Sequence, residues 1–591
     1  MASRYFERLV TQAFRPTHWS RTPSHPVHRL HRSPWQSVRH NSTQHAGSTP
    51  HSPKRSFNLI STIVFGVTAG VSYTLLDAAW GTLKTSQNSQ NSQIFNSSPG
   101  LNNAYGTAEE FKKAITELHD AFPGEDVVST DPEVLNTHGF SENDYHPGSS
   151  HTVVVYPNST EDVVKIVKIS RKYRMPIVPY SGATSLEGQY RAPSIGAICV
   201  DMSNMDKILE IHESDSDLVC QPGARWMDIN DTLKKKGIPL FFPIDPAPGA
   251  TIGGMISNGC SGTNAVRYGT AKAEWFLNVT VVLPSGEVVK TRRRSRKSSA
   301  GFDTTKLFIG AEGTLGIITE ATIRLAPVLP TNVAVVHFPD VRKATEAVVE
   351  IMNQGVGIQC VELVDDDFMR STNKYGMSSR KWPEVDSLFF KFQGPTAASL
   401  KETAEVVKRI AKKHGSTGFA LAKDDNEAAL LWSDRKNALY SGLALVEGSR
   451  GWSTDVCVPV SRLPELVYET KKDISNSGLV STIVGHVGDG NFHALLLFRT
   501  DEELAVAREL VHRMVERAIA LDGTCTGEHG VGIGKREYLY EELGENTVEL
   551  MKTVKRAIDP LNLFNPGKLY PDAPGTNPHL VASSGTEKEN A

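Results

Sequence analysis

The chain has 591 residues, room for several domains and a large buried core. Its formal net charge is −3 with 22% charged residues, so no overall basic field points to nucleic acid as a partner. Six cysteines (Cys199, Cys220, Cys260, Cys360, Cys457 and Cys525) show no Cys-x-x-Cys spacing. A disulfide framework or a cysteine-held metal does not follow, and they read as mostly buried, unpaired thiols.

Charge is unevenly spread along the chain. Arg4, Arg8, Arg15, Arg21, Arg29, Arg32 and Arg39 stand in a Ser/His/Pro-rich leader, residues 1–56, in which the Arg-rich part holds Glu7 as its acidic residue. That is the composition of a mitochondrial transit peptide, with Tyr5 to Val10 placed to begin its amphipathic helix. Phe57 to Leu76 follows without a charged residue. At about 20 residues it is long enough to span a hydrocarbon core, so a membrane anchor is expected, with a buried helix as the alternative. Lys54-Arg55 before it and Asp77 after it direct the amino terminus to the matrix and the remainder to the intermembrane space. Residues 77–106, rich in Ser, Asn and Gln, read as a flexible tether.

From residue 107 the pattern is globular. Glu109 to Phe122 reads as a helix and Thr152 to Pro157 as a strand. Ser159, with Asp162 three residues on, caps a helix that runs to Tyr173. The strand Pro176 to Tyr180 opens into a small-residue loop, Ser181 to Gly188. Three more such stretches follow, Pro243 to Gly259, Ser261 to Gly269 and Ile309 to Ile318. None is a GxGxxG opening a βαβ unit or a P-loop, which disfavours those folds. Small residues let backbone amides approach an anionic phosphate. Together the four loops describe a groove long enough for a dinucleotide. The basic run Arg292 to Lys297, after a strand at Val279 to Leu283, reads as an exposed loop.

Beyond Pro330 the composition shifts. Helices are predicted at Val341 to Met352, Ala397 to His414, Leu463 to Ser475, Glu503 to Leu521 and Thr547 to Ile558. Strands are predicted at Val333 to Phe338, Ser387 to Phe392 and Asp455 to Val458. This is an antiparallel sheet carrying helices, an α+β cap. The tail, residues 571–591, has no apolar period and is expected to be disordered.

Within the cap, Val484 to His493 lies between two apolar runs, Ser481 to Val484 and Ala494 to Phe498. Asp489-Gly490 predicts a two-residue type I′ hairpin turn, which pairs Gly488 with Asn491, Val487 with Phe492 and His486 with His493. Opposite residues share a face about 4.5–5.5 Å apart. Two imidazoles there can reach one metal with Zn–N bonds of about 2.0–2.1 Å. Glu528, followed by His529 in the Thr524 to Gly530 segment, is the candidate third ligand. Two histidines merely lining a hairpin is the plain alternative.

Residues 147–327 resemble the FAD-binding domain of the vanillyl-alcohol-oxidase/p-cresol-methylhydroxylase flavoproteins. The resemblance is carried by Pro179 through Ser185, Pro246 to Asn258, Arg267-Tyr268-Gly269 and Gly310 to Ile318. It implies an α+β architecture: a two-part FAD-binding domain over residues 107–330 and a substrate domain over residues 331–570, whose terminal helices return to the first. It further implies FAD contacts at Pro179, Tyr180, Ser181, Gly182, Ala183, Thr184 and Ser185; at Pro246, Gly249, Ala250, Thr251, Gly253, Gly254 and Asn258; at Ser261, Gly262, Arg267, Tyr268 and Gly269; and at Glu312, Gly313, Gly316, Ile317, Ile318 and Asn565. Some relatives attach flavin through a histidine where Thr184 stands here. A hydroxyl cannot make that link, so noncovalent FAD is expected.

Residues 331–570 resemble the carboxy-terminal domain of FAD-linked 2-hydroxy-acid dehydrogenases, on His486 to His493 and Thr526 to Gly532. The resemblance implies a divalent metal on His486, His493 and Glu528, acting as a Lewis acid on a substrate hydroxyl. Zn²⁺ suits two imidazoles and a carboxylate, and Mn²⁺ is tolerated. It also implies His529 as general base and Arg435 as a carboxylate clamp, with a plain surface charge at a helix end as the alternative; Asn491 reads as a group that orients substrate or a metal ligand, or that simply flanks the turn. Trp432 to Lys436 and Cys525 to His529 resemble the branch of the family that oxidises D-lactate and passes electrons to cytochrome c. D-2-Hydroxyglutarate or another D-2-hydroxy acid is the alternative substrate. From other classes, a zinc hydrolase could use the same two histidines and glutamate, and a membrane-tethered FAD-binding scaffold would carry no catalysis.

Overall fold

A computed structural model describes residues 105–572, apart from residues 125, 142 and 143. The leader, the 57–76 segment, nearly all of the tether and all but the start of the tail lie outside the described residues. No described helix is long and apolar enough to cross a membrane.

The described residues form three large sheets and a two-stranded one that pairs Leu240–Phe241 with Ala326–Pro327, and two of the large sheets lie in the amino-terminal half. Val128–Ser129, Val153–Val155, Ile198–Asp201 and Ile177–Tyr180 lie side by side in that order, the last three mutually parallel. Ala108–Ala121 and Thr160–Tyr173 pack on this sheet, burying Phe111, Leu118, Val163 and Ile166 with Val153 and Ile198. Both helices start where the sequence supplies a cap. Thr107 and Glu110 form a reciprocal capping box. Ser159 accepts the Asp162 N–H, but the Asp162 carboxylate reaches the Asn158 N–H, so the expected box at that helix is displaced by one residue.

The second sheet is antiparallel, ordered Ile208–His212, Asp217–Cys220, Ile317–Arg324, Phe276–Val282 and Val288–Lys290. The third has eight strands and carries the cap. Its path runs Gly418–Leu421, Thr331–His337, Ser387–Gln393, Ile358–Val364, Val480–Gly485, Asn491–Phe498 and Arg450–Ser453, with Val456–Cys457 pairing beside Asn491–Phe498. Ile358–Val364 is central and buried at all seven positions, as a strand covered on both faces must be. Val341–Met352, Ala397–Lys413 and Leu463–Ser477 cover one face, each burying an apolar stripe in the same core.

The chain then returns. Asp501–Ala520 leads out of the third sheet and Glu545–Ile558 leads back to the first half. Ile177 accepts the Asn565 N–H and donates to the Leu563 carbonyl, both at 2.8 Å, which adds Leu563 to Asn565 to the edge of the parallel strands. Lys555, almost wholly buried, donates to Thr314 O, Phe564 O and Asp559, locking this return in place. Residues within 331–570 therefore complete the sheet of the amino-terminal half.

Candidate functional site

The His-Asp-Gly turn differs from the predicted one. Val484 is the residue opposite His493, and a 3₁₀ turn, Val487–Asp489, joins the strands. The two-residue type I′ turn is absent; of its two central residues only Gly490 adopts positive φ, +81°. A Cβ on Gly490 would run into the Val458 carbonyl, which explains glycine there. His486 thus sits two residues beyond the pairing position. It stands just past the end of the strand Val480–Gly485, at the start of that turn. The imidazoles of His486 and His493 still meet, 5.4 Å apart between ring centres.

Glu528 completes the cluster. Its Oε1 lies 3.0 Å from His486 Nε2 and 3.2 Å from His493 Nε2. One ligand atom from each of the three residues falls within 4.8 Å of the others. Both histidines have Nδ1 committed elsewhere: His486 Nδ1 is 2.9 Å from each oxygen of Glu362, and His493 Nδ1 is 2.9 Å from the Thr454 carbonyl. Both therefore direct Nε2 inward. His493 Nε2 and Glu528 Oε2 are buried without a hydrogen bond of their own. Two inward imidazole nitrogens, a carboxylate and orphaned donor atoms fit a divalent cation with three protein ligands and an open position.

The electrostatics agree with that fit. Burial pushes His486 toward neutrality, yet Glu362 and Glu528 outweigh it and raise its pKa well above the usual range. Burial likewise raises the Glu528 carboxyl, but the charge and hydrogen bond of His486, with His493 close by, hold it well below normal. Two other clusters fit a metal poorly. In Asp455–His493–His529, the Asp455 oxygens are filled by the N–H groups of Glu528 and His529, the Thr526 hydroxyl and the Asn491 amide. In Asp365–Asp366–Asp367, Lys471 supplies the positive charge to Asp365 and Asp366.

His529 stacks on His493, with ring centres 4.9 Å apart and planes within 10°. Its Nδ1 is buried and unpartnered, and burial lowers its pKa, which keeps the ring neutral and able to accept a proton. Its carbonyl accepts from Gln189 Nε2 at 2.7 Å. Asn491 does not face the open position. Its amide donates to Asp455 Oδ1 at 2.7 Å and to Val456 O, so it orients the loop through Asp455. Arg435 is buried at the last turn of Asp425–Lys436 and already paired, with Nη2 2.6 Å from Glu362 Oε2. Its Nε is buried and unpartnered, so it offers an incoming carboxylate less than the full fork expected of it.

Beside this cluster opens a cleft of about 1260 Å³, counting its mouth. Its wall includes Pro179 to Ser185, Pro246, Ala250, Thr251, Gly253, Gly254, Asn258, Glu312, Gly313, Gly316, Ile317, Ile318 and Asn565. Glu528 and His529 line the same cleft. Gly249, Ser261, Gly262, Arg267, Tyr268 and Gly269 do not line it. Gly262 packs on Asp245, and Tyr268 donates its hydroxyl to Gln393 at 2.8 Å, so this loop seams the first half to the third sheet. Leu186, Gln189, Tyr190, Met202, Pro222, Ala247, Met255, Ser257 and Cys260 also line the cleft without having been singled out. Most adjoin the recognised loops; Met202 and Pro222 carry no local signal.

Among the described residues, three wall residues other than glycine adopt left-handed backbone: Ala183 (φ 52°), Glu312 (φ 52°) and Asn565 (φ 42°). Such strain persists where surrounding structure over-determines it, often at ligand sites. Glu312 is bound on two sides, since its carboxylate accepts the N–H groups of Val531 (2.6 Å) and Gly532 (2.8 Å). One clamp therefore joins the cleft wall to the loop bearing His529. A redox cofactor held in this cleft would share its wall with the proton acceptor and with one ligand of the candidate cation site, and the small-residue loops of that wall suit a dinucleotide.

Comparison with known proteins places these features. Residues 330–569 match the model of the carboxy-terminal domain of FAD linked oxidases, and residues 151–292 match an FAD binding domain. The chain is 44% identical over 464 residues to the mitochondrial "D-lactate dehydrogenase [cytochrome]" of Arabidopsis thaliana, covering 78% of this chain and 80% of that protein. It is 45% identical to "D-lactate dehydrogenase [cytochrome] 1, mitochondrial" of Saccharomyces cerevisiae, covering 73% and 75%. The fold is similar to that of p-cresol methylhydroxylase with substrate bound, at a TM-score of 0.65 and 17% identity, over 80% of this chain and 99% of that one.

Proposed function

Because this chain belongs to the FAD-linked oxidases, we propose that it is a D-lactate dehydrogenase that oxidises D-lactate to pyruvate and passes the electrons to cytochrome c. The observation that carries the reading is the shared wall: Glu528 and His529 line the cleft formed by the flavin-type loops. A zinc hydrolase would have no use for that cleft, and a bare scaffold no use for a buried unpartnered base. D-2-Hydroxyglutarate remains the competing substrate, and its second carboxylate would need a further cation.

FAD in the cleft supplies the two-electron acceptor, held noncovalently with Thr184 at the wall. A divalent metal, Zn²⁺ or Mn²⁺, on His486, His493 and Glu528 supplies a Lewis acid for the substrate hydroxyl. The protein does the rest. His529 Nδ1, neutral and unpartnered, takes the hydroxyl proton. Arg435 Nε attracts the substrate carboxylate. Gln189 and Asp455 hold the His529 backbone so that its ring stays against His493.

The curated relatives are named mitochondrial. The Arg-rich leader supports the same address here. The uncharged Phe57 to Leu76 segment supports a single-span tether to the inner membrane, with the catalytic part facing the intermembrane space, where cytochrome c is reached. The test is reduction of oxidised cytochrome c by the purified protein. D-Lactate should drive it and L-lactate should not; equal rates with both, or a faster rate with D-2-hydroxyglutarate, would displace the assignment.

A further inference from the structure

Glu362 stands in the middle of Ile358–Val364, a strand buried at every position, and its own side chain is fully buried. A lone carboxylate there is costly unless paired and hydrogen-bonded. It lines no part of the cleft and touches none of the groups assigned to proton transfer. What it touches is Arg435, at 2.6 Å, and His486 Nδ1, at 2.9 Å from both of its oxygens. The other histidine is served differently: His493 Nδ1 hydrogen-bonds the neutral carbonyl of Thr454 at 2.9 Å, and the nearest carboxylate oxygen, Asp455 Oδ1, stands farther off at 3.6 Å.

We propose that Glu362 is the positioning residue of this centre. Its carboxylate holds the Nδ1–H tautomer and ring plane of His486 so that Nε2 faces the cation, while Arg435 fixes the carboxylate. This rests on the metal-bearing reading above. A histidine ligand backed by a carboxylate is a more basic donor than one backed by a carbonyl, and loss of such a partner typically weakens metal affinity roughly 10- to 100-fold. His486 is thereby the stronger anchor, and the His493 side the more easily exchanged.

The test uses the flavin-loaded full chain, stripped with chelator and titrated with Zn²⁺. Glu362→Gln removes the charge but leaves Arg435 buried against an amide, which could unfold the protein. The double variant Glu362→Met with Arg435→Met removes both charges together and avoids that strain. The expected result is a Zn²⁺ dissociation constant roughly 10- to 100-fold higher in the double variant, at unchanged stoichiometry and flavin absorbance and with no loss of melting temperature, and the same rise in whatever Glu362→Gln protein folds. Wild-type affinity in the folded double variant would overturn the proposal, because the carboxylate would then serve only to balance Arg435. A wild-type protein that binds no Zn²⁺ would instead overturn the reading beneath it.

Discussion

Asp455 Oδ2 accepts the backbone N–H of His529 at 2.9 Å. The same oxygen accepts the Glu528 N–H at 2.7 Å and the Thr526 hydroxyl at 2.8 Å. A buried carboxylate with three donors on one oxygen sets where a candidate ligand and a candidate base sit. Burial alone would raise its pKa, but the adjacent His529 and His493 imidazoles and the loop N–H groups hold it far below the ordinary range. Asp455→Asn would turn an acceptor into a group whose NH₂ can oppose these donors. Unsatisfied buried donors cost about 1–3 kcal/mol each, and a displacement near 1 Å can cost about 10²-fold in rate. We expect a fall in kcat of that order with flavin still bound; wild-type turnover would show that the cradle is dispensable.

His529→Gln removes the proton acceptor and leaves its carbonyl available to Gln189. General-base catalysis typically contributes about 10²–10⁴-fold, so kcat should fall by that range. Flavin and metal content should be unchanged. Retained turnover would reassign the base.

His486→Ala and Glu528→Ala each leave the centre one ligand short. Metal content should drop to near zero on dialysis while the flavin spectrum persists, because the loops lining most of the cleft lie outside the cluster. Simultaneous loss of flavin would mean that the two sites fold as one.

Asp365 and Glu312 are fully buried carboxyls whose pKa values burial raises to about 7. Because the folded values lie above the unfolded ones, each contributes stability below the unfolded pKa that is lost as pH rises through about 7. Thermal stability should therefore decline between about pH 4.5 and 7.5. Asp365→Asn keeps the cap on Asp366–Tyr375, since an amide oxygen can still accept the Phe368 N–H. The variant should show a shallower decline; an unchanged slope would exclude Asp365 as a source.

Thr184 stands in the cleft wall, and its hydroxyl cannot make a histidyl link to flavin. Denaturation in acid should release all of the flavin to the supernatant. Flavin that precipitates with the protein would mean a covalent link elsewhere.

Much of this was legible in the residues, and the failures have physical causes. The loops at 179–185 and 246–258 announce themselves by small residues at close backbone approaches, and most of them line the cleft. The Arg267 to Gly269 loop has the same composition but serves as a seam, a distinction that depends on tertiary contact with Gln393. The hairpin register was off by two residues because the Asp489-Gly490 signal is overridden by a 3₁₀ turn packed on Val458. The two imidazoles still meet because His486, at the start of that turn, and His493 both face Glu528. Glu362, a carboxylate inside an apolar strand, and Asp455, fully buried between the strands Arg450–Ser453 and Val456–Cys457, went unread as site residues, though a buried carboxylate asks for a partner.

The most direct test is the visible spectrum of the flavin under anaerobic conditions, in protein with and without chelator, as D-lactate is added. The account predicts bleaching by D-lactate, none by L-lactate, and strong slowing once the metal is stripped. A flavin that D-lactate cannot bleach in the metal-loaded protein would contradict it.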